Sequence, residues 1–280
     1  MIDLHCHSTF SDGAKTPAEL IDIALSKGLH GLALTDHDTT AGCASFLAAG
    51  EGKGIELVPG TELSVDCEKG NMHMLGYWMD PSNQPLNDAM AWVRDGRDTR
   101  NRAIFKKLLD LGFDLTWEEI AVRVAADGVM GRPHFAQTLV DKGYAKDWND
   151  AFDRFLGNGK PAYVERERLN AEKAIELIRA AGGVAVLAHP FTLYLGKESM
   201  DALIGKLKDQ GLSGMECYYS EHSAEQSAEY LALAKKYDLV PTGGSDYHGK
   251  PGCDLELGTG FGGLNVPDET IPLLKARLGR

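Results

Sequence analysis

No apolar run in this 280-residue chain approaches the ~20 residues that span a bilayer, and residues 1–15 lack the basic and apolar stretches of a secretory leader. The expectation is a cytoplasmic protein with no membrane partner. Cysteine is sparse and unpatterned. Cys6, Cys43, Cys67, Cys217 and Cys253 are odd in number, scattered, and form no Cys-x-x-Cys pair. That argues against a disulfide frame or a thiolate zinc site and fits reduced thiols. Positive charge is also short: a net charge of −12 argues against a broad nucleic-acid-binding surface. It leaves room for a phosphorylated substrate, because bound cations reverse the local field. No low-complexity segment is present, and nothing calls for an obligate protein partner.

What is present is an alternation of short apolar segments and helical ones, the mark of βα repeats. Ile2–Leu4 reads as the first strand. Thr16-Pro17-Ala18-Glu19 is a capping box with proline at the first helical position. Strands follow at Gly31–Leu34 and Ile55–Val58. Leu63–Val65 and Met72–Trp78 flank a polar turn and read as an antiparallel hairpin. From about Pro85 to Tyr163 strand signals vanish and helical spacing takes over. The rhythm resumes with strands at Val184–Ala188, Gly214–Tyr218 and Leu239–Thr242, separated by helices, and a last helix over 267–279. The chain is thus expected to be α/β, with a barrel-type body at 1–84 and 164–280 and a helical insertion at 85–163 covering the active site.

His5-x-His7 puts two imidazoles on one side of an extended segment, because strand side chains alternate. Cys6, between them, points the other way and reads as core. His5, His7, His37, Glu62, His189, Asp246 and His248 each fall at or just after a strand's C-terminal end, the rim where βα loops converge. His73 departs from that pattern, since it begins its strand. Asp12 lies five residues beyond His7. Six histidines and three acids make nine nitrogen and carboxylate ligands, too many for one ion and enough for two or three. Manganese is the first expectation, with zinc, iron, cobalt or magnesium as substitutes. His30 and His222 have no motif context and read as surface residues. Asp36 and Asp38 flank His37 as either ligand-orienting or loop-capping groups. Glu216 ends a strand and faces either the site or the barrel interior.

As a set, His5-x-His7 with Asp12, Thr35-Asp36-His37, Gly60-Thr61-Glu62, His73, His189-Pro190 and Ser245-Asp246-x-His248 resemble the motifs of the PHP (polymerase and histidinol phosphatase) family. They span almost the whole chain. The resemblance implies a distorted (β/α)7 barrel and a three-metal phosphoesterase site. Carried over, His5, His7, Glu62 and Asp246 hold a first metal, Glu62, His73 and His189 a second, and Asp12, His37 and His248 a third. Within the insertion, Gly131-Arg132-Pro133-His134 resembles the subgroup of small bacterial members that act on nucleoside 3′,5′-bisphosphates or as 5′→3′ exoribonucleases.

The expected reaction is hydrolysis of the 3′-phosphate of a nucleoside 3′,5′-bisphosphate. A metal-bridging hydroxide is the attacking group, so no protein nucleophile is needed. Arg132 can grip phosphate bidentately. His134 can donate to a phosphate oxygen or protonate the leaving group. Asp12 and His37 also face the substrate. Of the arginines at 94–102, Arg102 is the expected substrate contact. Short RNA or DNA oligonucleotides are the alternative substrate. A non-catalytic metal-binding module and a C–N hydrolase are alternatives of other classes. The complete ligand set opposes the first, and the lack of a strand-end lysine opposes the second.

Overall fold

The computed structural model describes residues 1–124, 130–165, 168–250 and 252–279. Seven strands form one sheet in sequence order, β1-β2-β3-β4-β5-β6-β7. β1 (Ile2–Asp3), β2 (Gly31–Leu34) and the first part of β3 (Glu56–Val65) run parallel. β4 (Met72–Tyr77) is antiparallel to both β3 and β5 (Val184–Leu187). β6 (Gly214–Tyr219) and β7 (Val240–Gly244) complete the parallel run. Hydrogen bonds from Leu4 N–H to Gly243 O (3.1 Å) and from His7 N–H to Tyr247 O (2.9 Å) bring β7 against β1, so the barrel nearly closes. Closure needs glycine at 244, where a Cβ would lie 2.4 Å from the His5 backbone nitrogen.

β3 is one strand where the sequence suggested two. It changes partner at Pro59: Gly31–Leu34 pair with Glu56–Pro59, and Gly60–Val65 pair with Tyr77–Met72. The reversal of β4 explains the position of His73. An antiparallel strand begins at the rim where its parallel neighbours end, so His73 reaches the same rim from the opposite chain direction.

Helices α1 (Pro17–Ser26), α2 (Cys43–Gly50), α7 (Ala171–Ala180), α8 (Lys197–Asp209) and α9 (Ala224–Lys236) cover the sheet. The capping box at Thr16 is formed: its hydroxyl accepts from Glu19 N–H, and the Glu19 carboxylate accepts from Thr16 N–H. Inside the barrel lie Ile2, Leu4, Ala33, Val58, Leu75, Tyr77, Val184, Val186 and Val240, continued by Ile271 and Leu274 of the last helix, α10 (Thr270–Lys275). That helix is shorter than 267–279 because Pro272 has no N–H and is tolerated only in a first turn. Val58, Gly60 and Glu62 share one face of β3 by strand alternation, so the apolar stack leads up to the Glu62 carboxylate.

The insertion has its own core, built from Ile104, Leu108, Ile120, Phe135, Leu139, Leu156 and neighbours. Its elements are α3 (Gln84–Asp110), α4 (Trp117–Ala121), α5 (Arg132–Asp141), α6 (Trp148–Ala151) and a π-helical turn at Phe152–Leu156. α3 serves both bodies. Leu86, Met90 and Val93 pack in the barrel's outer cluster, whereas Ile104 and Leu108 belong to the insertion. No helix among the described residues is long and apolar enough to cross a membrane.

Candidate metal centre

At the rim, Glu62 is fully buried and surrounded by imidazoles. Its Oε2 lies 3.4 Å from His5 Nε2, 3.3 Å from His7 Nε2 and 2.9 Å from His37 Nδ1. Its Oε1 lies 2.7 Å from His73 Nδ1 and 2.9 Å from His189 Nε2. Asp246 Oδ1 stands 3.4 Å from His5 Nε2 and 3.1 Å from His7 Nε2. Asp12 Oδ1 stands 3.1 Å from His248 Nε2 and 3.8 Å from His37 Nε2. All nine residues singled out in the sequence therefore meet in one place.

Their donor atoms fall into three clusters: His5, His7, Glu62 and Asp246; His37, Glu62 and His73; and His7, Asp12, His37 and His248. His37 and His7 each face two clusters, and His189 borders the second through Glu62 and His73, whose Nδ1 lies 3.3 Å away. His5, His7 and Glu62 form the deep wall, while Asp12, His37, His73 and His248 are partly exposed.

Six of these donor atoms are buried without a hydrogen-bond partner: His5 Nε2, His7 Nε2, Asp12 Oδ1, His37 Nδ1, Glu62 Oε2 and Asp246 Oδ1. Lone pairs that converge at 2.9–3.8 Å without hydrogen-bond partners are costly unless a cation sits between them. The donor set is nitrogen and carboxylate oxygen alone. Cys6 points away, its thiol on Ala33 O at 3.1 Å. This chemistry fits first-row divalent ions.

The electrostatics agree. Burial works against ionisation of Glu62, Asp246 and Asp12, yet the surrounding histidines hold all three well below the ordinary carboxylate range. Burial also opposes charging of His7, but the close Asp246 and Glu62 carboxylates outweigh it and raise its pKa to about 10. His73 goes the other way, to about 4, because burial and the neighbouring His189 and His37 exceed the pull of Glu62. One carboxylate cannot keep every imidazole around it charged.

Two of the nine donor residues carry strained backbone. His189 has φ 23° and Asp246 φ 57°, both in the left-handed region. Around them, the Asp36 carboxylate accepts from the Ser8 N–H and the Ser8 and Ser11 hydroxyls, fixing the loop between His7 and Asp12. Asp38 accepts from Ser64 N–H at 2.7 Å and from Arg97 at 2.7 Å. Through these contacts both acids brace the loops beside the histidine cluster. His5 Nδ1 donates to Glu216, fully buried behind it, at 3.1 Å.

Above the centre lies a cavity of about 720 Å³, lined on the metal side by Asp12, His37 and His73 and on the insertion side by Arg132 and His134. Arg97, Arg100, Arg123, Arg168 and Lys250 also line it. Burial lowers the pKa of Arg132, and the nearby Arg168 charge adds to that. The Arg132 guanidinium lies over the Phe152 and Tyr163 rings at 5.8 and 5.6 Å. His134 Nδ1 lies against the Gly131 backbone, 2.9 Å from its N–H and 3.2 Å from its carbonyl oxygen, with the N–H contact the shorter.

Two expectations need correction. Arg102 does not line the cavity; it is exposed and stacks over Trp117 at 5.0 Å. At 3.6 residues per turn, position 102 is rotated about 140° from position 97. Arg97 and Arg100 take the cavity face instead, a choice that needs the helix phase. His222 is not a surface residue. Its Nδ1 lies 3.4 Å from Cys217 O, and its ring packs among Phe191, Tyr219 and Tyr230. Arg168 and Lys250 had no motif to mark them, because only the fold brings them to the cavity.

A nearly closed seven-stranded barrel with a histidine–carboxylate cluster at its rim is the frame of a metal-dependent hydrolase, and full-length relatives make it a phosphoesterase. The chain belongs to the PHP family: residues 3–88 match the PHP domain model. It is 36% identical over 271 residues to a 5′-3′ exoribonuclease of Haemophilus influenzae, covering 97% of each chain. It is also 36% identical to a 3′,5′-nucleoside bisphosphate phosphatase of Chromobacterium violaceum, covering 91% of this chain and 90% of that one. A solved structure of an amidohydrolase from Chromobacterium violaceum, with bound sulfate and no metal, superposes with a TM-score of 0.85 at 34% identity, covering 100% of this chain and 97% of that one.

Proposed function

We propose that the protein removes the 3′-phosphate from nucleoside 3′,5′-bisphosphates, giving the 5′-monophosphate and phosphate. The observation that carries this reading is the cationic lining of the cavity opposite the metal centre. A phosphate held at the centre needs no second cationic wall, whereas a substrate with a second phosphate does. Arg132 and Arg168 are the guanidiniums proposed to hold that second phosphate. Trp148 and Phe152, on the same lining, offer flat apolar surface to a base. A volume of about 720 Å³ suits a ligand of nucleotide size.

In this reading His5, His7, Glu62 and Asp246 hold a first divalent ion, Glu62, His73 and His189 a second, and Asp12, His37 and His248 a third. Manganese is the first choice. Such ions, when bound, activate water and neutralise charge on a phosphoryl group. Glu62, facing the first two positions, keeps them adjacent. His134 presents its Nε2 proton to a phosphate or leaving-group oxygen, and the lowered pKa imposed by its burial keeps it neutral. Asp12 and His37 shape the open side of the centre against the substrate.

The test is phosphate release in manganese from nucleotides phosphorylated at 2′, 3′ and 5′, with wild type and Arg132→Ala. The variant should lose far more activity on bisphosphates than on an aryl phosphate. Equal losses on both would remove the recognition role. A second reading has its own support, since the Haemophilus influenzae relative is an exoribonuclease at the same identity. Faster release from a 5′-phosphorylated oligonucleotide than from a 3′,5′-bisphosphonucleotide would favour it.

A further inference from the structure

β6 is the one strand of the parallel run on its side of the barrel that supplies none of the nine donor residues, yet it touches three of them. Both oxygens of Glu216 are engaged. Oε1 accepts from His5 Nδ1 at 3.1 Å, and Oε2 accepts from the His189 backbone N–H at 2.6 Å. Three residues on, the Tyr219 hydroxyl donates to Asp246 Oδ2 at 2.8 Å. In a regular strand, residues three apart point to opposite faces. Here the pairing of β6 with β7 slips between Glu216 and Tyr218: Glu216 pairs with Thr242, and Tyr218 with Gly243. This bulge brings residue 219 round to the side of residue 216, the re-aiming that bulges perform beside sites.

The chemistry of the Glu216 contact fixes a proton. A neutral imidazole carries one N–H, and a carboxylate can only accept. When His5 is neutral, as a metal ligand must be, its proton is therefore held on Nδ1, and the Nε2 lone pair is left facing Glu62 and Asp246 at 3.4 Å. At His189 the same carboxylate holds a backbone N–H whose residue sits at φ 23°, a conformation that needs outside support. Tyr219 occupies Asp246 Oδ2, so that Oδ1, the atom without a hydrogen-bond partner, is the one presented to the cluster.

We infer that Glu216 is a positioning residue of the metal centre: from the bulged strand β6 it sets the tautomer of His5 and the backbone of His189, with Tyr219 orienting Asp246 beside it. The centre is thus braced on a strand that donates no ligand. Carboxylates behind ligating histidines orient them in this way in metal sites generally, and their loss costs about 10–100-fold in metal affinity.

The test needs no substrate. In zinc-loaded protein with ¹⁵N-labelled histidine, His5 should show a protonated, exchange-protected Nδ1. In Glu216→Gln the amide can turn its NH2 toward Nδ1 and favour the opposite tautomer. That protected Nδ1–H should disappear, and zinc affinity should fall about 10–100-fold. Tyr219→Phe should lower zinc affinity while leaving the His5 Nδ1–H signal in place. A Glu216→Gln protein with that signal intact and wild-type affinity would overturn the inference. Should that variant fail to fold, the wild-type spectrum decides alone: a His5 in zinc-loaded protein without a protonated Nδ1 refutes the assignment.

Discussion

Proton release should accompany metal loading of this centre, and its size follows from His7. In the metal-free protein His7 is fully buried, and the Asp246 and Glu62 carboxylates beside it bring its pKa to about 10 against burial. A metal ligand must be the neutral imidazole, so binding at pH 7 strips a proton held roughly three pH units above ambient. At about 1.36 kcal/mol per unit this costs about 4 kcal/mol. Affinity should therefore rise about tenfold per pH unit between 7 and 9 for this proton alone, and more steeply with His5, which Glu216, Asp246 and Glu62 raise in the same sense against burial. The stability of the metal-free protein runs the other way. A raised histidine contributes stability that is full below about pH 6.5 and is lost as the pH climbs toward 10. The melting temperatures of loaded and metal-free protein should thus diverge as the pH rises from 6.5 to 9. Calorimetric titration with manganese in buffers of different ionisation enthalpy counts the protons directly. Binding with no proton release at pH 7, or melting curves that stay parallel, would refute the reasoning.

Asp12→Ala should leave metal at His5, His7, Glu62 and Asp246 and lose the ion nearest His248, with activity reduced roughly 10²–10³-fold, the scale of removing one charge-stabilising group. Metal analysis beside kcat and KM checks this; losing every ion would contradict it. Arg102→Ala should leave kcat/KM close to wild type and stability within about 0.5 kcal/mol, as surface changes usually do, because its guanidinium lies on Trp117. Ile104→Ala, in the insertion's own core, should cost about 2–5 kcal/mol, read by urea unfolding. Hydrogen exchange should show the loss concentrated in α5 and the following turns rather than in the sheet.

Most of the barrel was legible because its signals are local. Alternation marks the strands, Thr16 and Glu19 mark a helix start, and His5-x-His7 announces two side chains on one side. The nine donor residues could be grouped because strand ends share a rim. Other features depend on registers that sequence does not print. His73 makes sense only once β4 is known to be antiparallel to both neighbours. Glu216 and Tyr219 share a side only because of a bulge. Arg97 rather than Arg102 faces the cavity because of helix phase, and Arg168 arrives there from a distant segment. The strand expected at Ile55–Val58 runs on through Pro59 to Val65, because it changes partner at the proline.

The reversed β4 also sets a length. It starts at the rim and ends beside Val184, at the foot of the barrel, so the chain must climb back before it can build anything above the centre. α3 makes that ascent. Its Leu86 and Met90 lie along the barrel wall, Arg97 reaches the level of Asp38, and Ile104 stands in the roof. Twenty-seven residues give about 40 Å of helix. α3 is therefore a ruler for headroom. Removing one turn would lower the roof by about 5.4 Å, and adding one would raise it by as much. Clearance over an unchanged metal floor can thus be tuned by helix length alone.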